Sequence, residues 1–440
     1  MNKLNNDVEK KSAKNINFWS AASIGVGGMI GAGIFSIFGT AGQIAGSAVF
    51  LSFIIAGLIA LLSTYSFAKL GATFPSAGGA VEFLVKGLGD NVLSGGLNIL
   101  LWAGYILGLS LYANAFGGYA ATFFPKEQVH IWNIAFSILI IVIFTSINFI
   151  GARTVGRMEI FIVATKVIIL LLFSVIGLFF IKPQYLSVST WPPFHRIIYG
   201  AGFVFLAFEG FGLVTNTAEE MKDPYHTLPR ALYASVLFTG VVYILVSFAV
   251  MGNLNATEVT QAKEYALAAA AKPFMGEIGF TIITIAALFS IASAVNATLY
   301  GGANVCYTIA RDGELPEFFE RKIWLNGKEG LFITSGLVLF FTLFFKLDEI
   351  AMMGSTALLI IYAMVNVSHF FLYRKTNAHL SIIILSLLGC LAFLGVLIYY
   401  EIQHSRRSLW TLVIVLICSF LLEGVYRKYT SRKIKQRCTT

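Results

Sequence analysis

Apolar residues run along this chain in long blocks rather than in the 3.6-residue stripes of a helix covering a soluble core. Twelve blocks stand out: 18–43, 48–72, 94–122, 131–150, 158–181, 197–218, 229–252, 277–309, 331–346, 350–373, 379–400 and 409–426. Each approaches or exceeds the roughly 20 residues that a helix needs to cross a bilayer core of about 30 Å, the ninth being short and the eighth long. The pattern predicts an all-α membrane protein of about 12 transmembrane helices, forming a single membrane domain with no soluble appendage of any size.

Composition agrees: 57% of the 440 residues are hydrophobic and 12% are charged, against about 25% charged in an ordinary soluble domain. A net charge of +9 would point to nucleic acid in a soluble protein, but its distribution gives it another meaning here. Twenty-two of the 31 Lys and Arg fall at the termini and in one set of alternate loops, eight fall in the opposite loops, and Lys166 lies within a helix. The positive-inside bias places both termini in the cytoplasm of a multi-pass protein of the cell (inner or plasma) membrane. The basic run Arg427, Lys428, Arg432, Lys433, Lys435 and Arg437 reads as topology and contact with membrane lipids. The first block is too long for a signal peptide's apolar region and is expected to stay as an anchor. Cys306, Cys390, Cys418 and Cys438 show neither a disulfide framework nor metal-ligand spacing, so neither metal nor cofactor is expected.

Interruptions inside the blocks carry more information, because a bilayer offers unpaired backbone groups no water. The first block holds Gly25, Gly27, Gly28, Gly31 and Gly33 halfway across the membrane. Close helix packing through small residues is the plain reading of this stretch taken alone. A nucleotide loop is excluded: no Gly-Lys-Ser/Thr follows, and Ile30 stands where a third fingerprint glycine would be. The sixth block carries a second interruption, Ala207-Phe208-Glu209-Gly210-Phe211-Gly212, again near mid-membrane. Two fractures five helices apart suggest an inverted repeat, helices 1–5 against 6–10, whose opening helices are discontinuous and meet at a central site. The expected chemistry follows from free helix ends. Amides of Ala32, Gly33 and Ile34 would favour a carboxylate. Carbonyls at Gly28, Met29, Phe205 and Phe208 would accept an ammonium group, and a zwitterionic α-amino acid satisfies both sets.

These residues resemble the amino acid-polyamine-organocation transporters, and most closely their prokaryotic, sodium-independent, proton-coupled amino-acid carriers. The likeness runs from Phe18-Trp19 to Tyr426-Arg427-Lys428. Its motifs are Met29-Ile30-Gly31-Ala32-Gly33-Ile34-Phe35, Gly210-Phe211-Gly212, Glu220-Met221-Lys222-Asp223-Pro224, Leu228-Pro229-Arg230, the run from Asn296 to Val305, and Asp312-Gly313-Glu314-Leu315-Pro316. The resemblance implies a leucine-transporter-type fold: a 5+5 inverted repeat plus two C-terminal helices, with helices 1 and 6 discontinuous. The chain then divides into a cytoplasmic segment 1–17, a first repeat 18–181, an inverted repeat 197–373, helices 11 and 12 over 379–426, and a basic tail 427–440. It also implies alternating access, with substrate held by backbone at Met29, Ile30, Gly31, Ala32 and Gly33 and from Phe205 to Glu209. Gly104, Tyr105 and Leu109 of helix 3 would shape the side-chain pocket.

Lys166 lies eight residues into helix 5, roughly 12 Å along it. A lysine at mid-helix costs about 2.5–3.5 kcal/mol on insertion scales, so its default reading is functional rather than snorkelling. Burial disfavours the charged form, which suits a group that gains and loses a proton during transport. In the resembling transporters a lysine at this point fills the space where sodium-dependent relatives hold sodium. That implies the Gly27 carbonyl and Ser290 or Ser293 as neighbours.

Glu209 departs from the family pattern, where this position is more often uncharged. It admits three readings: a ligand for a cationic substrate amine, a second protonatable group, or a hydrogen-bonded structural residue. The first of these favours a runner-up function as a cationic amino-acid or polyamine transporter or exchanger. Glu219, Glu220, Lys222 and Asp223 read as a solvated or gate-forming cluster, with Arg153 and Arg157 as candidate partners. An enzyme is disfavoured, because His130, His195, His226, His369, His379 and His404 are scattered without a His-Glu-x-x-His or Gly-x-Ser-x-Gly pattern. A channel would need a pore motif or repeated polar rings. The expected partners are a small amino acid or amine, protons and membrane lipids, with no nucleic acid and no obligate protein partner.

Overall fold

A chain this apolar must satisfy its backbone polar groups within each segment, and helices do so. The computed structural model describes residues 16–76, 78–150, 155–311 and 329–430. Among them, regular structure is helical apart from one isolated bridge, between Ile16 and Met221. Each hydrophobic block falls on a helix or a run of helical segments. These are α1 (Phe18–Gly28, Met29–Gly33 and Ile34–Ala45), α2 (Val49–Thr73), α3 (Val92–Ala121), α4 (Val129–Ile150), α5 (Val155–Phe179) and α6 (Phe194–Val204, Phe205–Phe208 and Phe211–Thr215). They continue with α7 (Pro224–Asn253), α8 (Ala266–Arg311), α9 (Glu329–Phe344), α10 (Leu347–Leu372), α11 (Leu380–His404) and α12 (Arg406–Thr430). Ten helical stretches among the described residues are long and apolar enough to cross a membrane; Phe18–Gly31 and Gly330–Phe344 are shorter apolar helices.

Local chemistry moves several boundaries. Asp223 accepts the His226 amide at 3.3 Å and Pro224 takes the first helical position, so α7 begins five residues before the apolar block does. Inside α8, Gly276 has φ of 64°, which breaks the helix just before the predicted start at Glu277. At the other end of the chain, α12 continues to Thr430. Arg427, expected to open a basic tail, instead forms an ion pair of 2.8 Å with Asp90 beside α3. Residues 1–15 and 431–440, Arg153, the Asp312–Pro316 motif and the side chain of Arg157 lie outside the described residues.

The helices sort by burial. α3, α6 and α10 are enclosed, whereas α4, α11 and α12 turn most of their apolar surface outward, as lipid-facing helices do. Interhelical hydroxyl bonds tie the interior: Ser52 donates to the Ile197 carbonyl at 2.7 Å and Ser355 to that of Gly202 at 2.8 Å. At the centre the two interrupted helices touch through their backbones. A Cβ on Gly210 of α6 would overlap the Met29 nitrogen and the Gly28 carbonyl carbon of α1. Only glycine permits that approach.

Candidate functional site

The interruption of α1 takes the form of a π-helical turn, Met29–Gly33, flanked by residues in the right-handed helical region. This differs from the unwound stretch expected. The chain passes from π to α geometry without an open gap, so Ala32, Gly33 and Ile34 lie inside continuous helix rather than at the free start of a second half-helix. A π turn misaligns carbonyls from the ordinary ladder, and here other helices supply donors. Lys166 Nζ of α5 donates to the Gly27 carbonyl at 2.8 Å, with only 3% of the residue exposed. Ser290 Oγ of α8 donates to Gly31 at 2.9 Å and to Ile30 at 3.3 Å. Ser293 is half-buried, and of the two serines it is Ser290 that reaches the π turn. Tyr243 Oη of α7 donates to the Met29 carbonyl at 2.6 Å and also to Ala207 of α6 at 3.0 Å. One hydroxyl thus ties both interruptions together. A Cβ on Gly31 would approach Lys166 Nζ, and one on Gly33 would meet Tyr243 Oη and the Ala207 backbone.

In α6 the interruption tightens instead, into the 3₁₀ turn Phe205–Phe208 followed by Glu209-Gly210. The side chains of Phe205 and Phe208 are buried in aromatic contacts, with ring centroids 5.5 Å from Tyr362 and 5.3 Å from Tyr243 respectively. Tyr362 Oη of α10 donates to the Glu209 carbonyl at 3.2 Å.

The Glu209 side chain lines a cavity of about 20 Å³ together with Tyr105, Leu101, Asn216 and Tyr362. That volume accommodates about one water and no amino acid. The cavity lies beside the segment that joins α2 to α3, which contributes Gly78 and Ala80 to its lining. There Gly79, at φ of 50°, sits so close to Asn216 that a Cβ would collide with its carboxamide oxygen. Among the helix 3 candidates, Tyr105 lines this cavity, Gly104 packs beside Leu358 and Leu109 is buried in the core. Gly108 of α3 also lies near the Glu209 carboxylate: a Cβ there would be 3.7 Å from Oε2.

Glu219, Glu220, Lys222 and Asp223 are exposed. Asp223 is hydrogen-bonded to His226 Nδ1 at 2.7 Å, and this bond holds its carboxyl below the usual carboxylate range. Sequence alone does not single out Tyr243, Tyr362 or Leu101. The available signal was that a tyrosine hydroxyl deep in an apolar block needs an acceptor.

Comparison with known proteins covers most of the chain. Residues 16–420 match the family model described as amino acid permease. The chain is 43% identical to an uncharacterized protein of Methanocaldococcus jannaschii, over 95% of this chain and 97% of the relative. It is 32% identical to the inner membrane transport protein YbaT of Escherichia coli, over 93% and 96%. With the branched-chain amino acid permease BcaP of Bacillus subtilis the identity is 26%, over 70% and 69%.

Proposed function

The chain belongs to the amino acid permease family, and on that premise we propose a proton-coupled carrier that moves amino acids by alternating access around the interruptions of α1 and α6. The coarser description is direct: this is a multi-pass membrane transporter of a permease family, not an enzyme. The finer reading places it in the cell membrane with both termini cytoplasmic, and takes α1–α5 and α6–α10 as inverted repeats, with α11 and α12 appended.

The observation that carries this reading is the bond from buried Lys166 to the Gly27 carbonyl, at the edge of the π turn. In its charged form the ammonium makes a charge-assisted bond that braces α1 against α5. Loss of the proton weakens that bond and releases the segment whose geometry is already the least regular in α1. Each carbonyl of the turn has a second lone pair, so a substrate ammonium shares acceptors with Lys166, Tyr243 and Ser290. Opening of the π turn exposes the amides from Ala32 to Ile34 to the substrate carboxylate, which couples binding to release of the brace. A cavity of about 20 Å³ beside Glu209 corresponds to a closed stage of this cycle.

The test is uptake into liposomes under an imposed pH gradient. Wild-type protein is expected to accumulate amino acid with the gradient, and Lys166→Ala to lose that dependence. Uptake by Lys166→Ala at wild-type rate and with unchanged proton dependence would sink the proposal.

A second reading rests on Glu209 itself, whose carboxylate shares the cavity with Tyr105 and Asn216. A carboxylate in that place would select a cationic amino acid or polyamine. Competition by arginine, lysine and putrescine against a neutral amino acid, repeated in Glu209→Gln, decides it: cationic competitors lose their advantage in the variant only under this second reading.

A further inference from the structure

The last turns of α12 hold a segment that reaches the cavity beside Glu209. That segment joins α2 to α3 through the short helix Ala80–Leu88, and its Gly78 and Ala80 line the cavity. One end is seated on α6, where a Cβ on Gly79 would strike Asn216. The short helix lies against α10, whose Ser368 backbone leaves no room for a Cβ on Gly87. At the other end the backbone turns at Gly89, with φ of 84°, and Asn91 caps α3 by accepting the Ser94 amide at 3.0 Å. Asp90, between the two, is the corner at which the short helix meets α3.

Arg427 of α12 grips that corner twice. One guanidinium nitrogen lies 2.8 Å from Asp90 Oδ1, and the other donates to the Asp90 carbonyl at 3.0 Å. The first nitrogen also faces Oε1 of Glu423, one helical turn earlier, at 3.7 Å. Glu423 is 2% exposed, and among the described residues its Oε2 has no protein donor. Glycines of α3 make its seat: a Cβ on Gly95 would fall on the Glu423 carboxyl group, and one on Gly96 on the Phe420 ring. Although α10 and α11 also pack on α12, the charged groups that act on Glu423 among the described residues are Asp90 and Arg427.

Two carboxylates and one guanidinium leave one negative charge over. An enclosed carboxyl oxygen without a donor is costly on an anion and less so on a neutral acid, so a proton on Glu423 completes the charge balance. In that state Arg427 belongs to Asp90. Without the proton Glu423 is a second anion on the same nitrogen and draws the guanidinium away. The proton exchanges with water at the edge of Arg427, whose side chain is 26% exposed.

We propose that Glu423 is a proton-binding residue and forms, with Arg427 and Asp90, a latch on the segment between α2 and α3. Protonated Glu423 leaves Arg427 on Asp90 and holds the segment against the cavity; loss of the proton frees it. The latch is distinct from the Lys166 brace and rests on no choice of substrate.

The experiment uses the purified full chain in nanodiscs, as wild type, Glu423→Gln, Asp90→Asn and the double variant. Infrared spectra record the carboxylic-acid carbonyl band as pH rises. Wild type should show a titrating component that Glu423→Gln lacks, and identical bands in the two overturn the proton site. Hydrogen–deuterium exchange of residues 78–91 is then compared between variants at one pH, so that intrinsic exchange rates cancel. At acid pH wild type and Glu423→Gln should exchange alike. At alkaline pH wild type should exchange about tenfold faster, the protection that one hydrogen bond to a charged group contributes. Asp90→Asn should exchange fast at both, and adding Glu423→Gln should not restore protection, because Glu423 acts through the Arg427–Asp90 pair. Unchanged exchange over α4 shows that the variants are folded. Equal exchange of the segment in wild type and Glu423→Gln at alkaline pH overturns the latch, and neither measurement depends on which substrate is carried.

Discussion

In α1 the interruption widens into a π turn whose neighbouring carbonyls are held by Lys166, Tyr243 and Ser290 from three other helices. In α6 it tightens into a 3₁₀ turn lodged among aromatic rings, with a carboxylate at its end. A widened turn leaves acceptors off the ladder and must borrow donors, so its geometry depends on groups that can change. The tightened turn borrows uncharged tyrosine hydroxyls, Tyr243 to Ala207 and Tyr362 to Glu209, and otherwise depends on packing, which does not titrate. Under the proposed function, this contrast would give coupling to α1, where the borrowed donors include a lysine, and substrate selection to α6, where Glu209 meets the cavity.

The sharpest way to break this comparison is at the point where the two interruptions touch. Gly210→Val places a side chain into the backbone of Gly28 and Met29. Backbone cannot swing aside, so the cost exceeds the roughly 1–3 kcal/mol of ordinary overpacking. Uptake should be abolished even where size-exclusion profiles show folded protein. Wild-type uptake by this variant would mean that contact between the two helices is not part of the cycle.

Next in size is Lys166→Ala, which removes a bond to a charged group, worth about 1.5–3 kcal/mol. Thermal unfolding in detergent should fall along with gradient-driven uptake. Tyr243→Phe comes third. It keeps ring contacts with Phe53 and Phe208 at 5.2 and 5.3 Å but loses both carbonyl bonds. At an average of about 0.6 kcal/mol per interhelical bond in a membrane protein, a loss of about 1 kcal/mol is expected. Because this hydroxyl binds α1 and α6 together, wild-type uptake kinetics in Tyr243→Phe would show that the two turns move independently.

Hydrophobic blocks made the helices legible, because length and apolarity are what a bilayer demands of any crossing segment. The glycine runs marked where α1 and α6 are interrupted, but not how. Whether a turn widens or tightens depends on donors that arrive from other helices, and those come from residues more than 200 positions away, such as Tyr243 and Ser290. Lys166 stood out in sequence because a charge at mid-block is costly wherever the other helices lie. Glu401 did not. It stands three residues from the end of α11, where sequence reads a carboxylate as interfacial, and its burial comes with neighbours such as Thr356 of α10. Burial by a neighbouring helix leaves no local trace.

The smallest effect tests the α1 side most finely. Ser290 and Ser293 lie three residues apart on α8, some 60° apart around a helix of 3.6 residues per turn, and sequence alone had left either as the brace. In the structure Ser290 Oγ reaches the Gly31 and Ile30 carbonyls at 2.9 and 3.3 Å, whereas Ser293 is half-buried beside it. Ser290→Ala should therefore lower stability in nanodiscs by about 0.6 kcal/mol, and Ser293→Ala should be neutral by the same thermal-shift measurement. If the π turn is one mechanical unit, Ser290→Ala should also move the pH at which uptake is half-maximal, because the lysine and the serine hold neighbouring parts of the same segment. A stability loss without that pH shift would separate the turn from the proton and leave Lys166 bracing only Gly27. Equal losses in the two serine variants would mean that α8 supports α1 through packing alone.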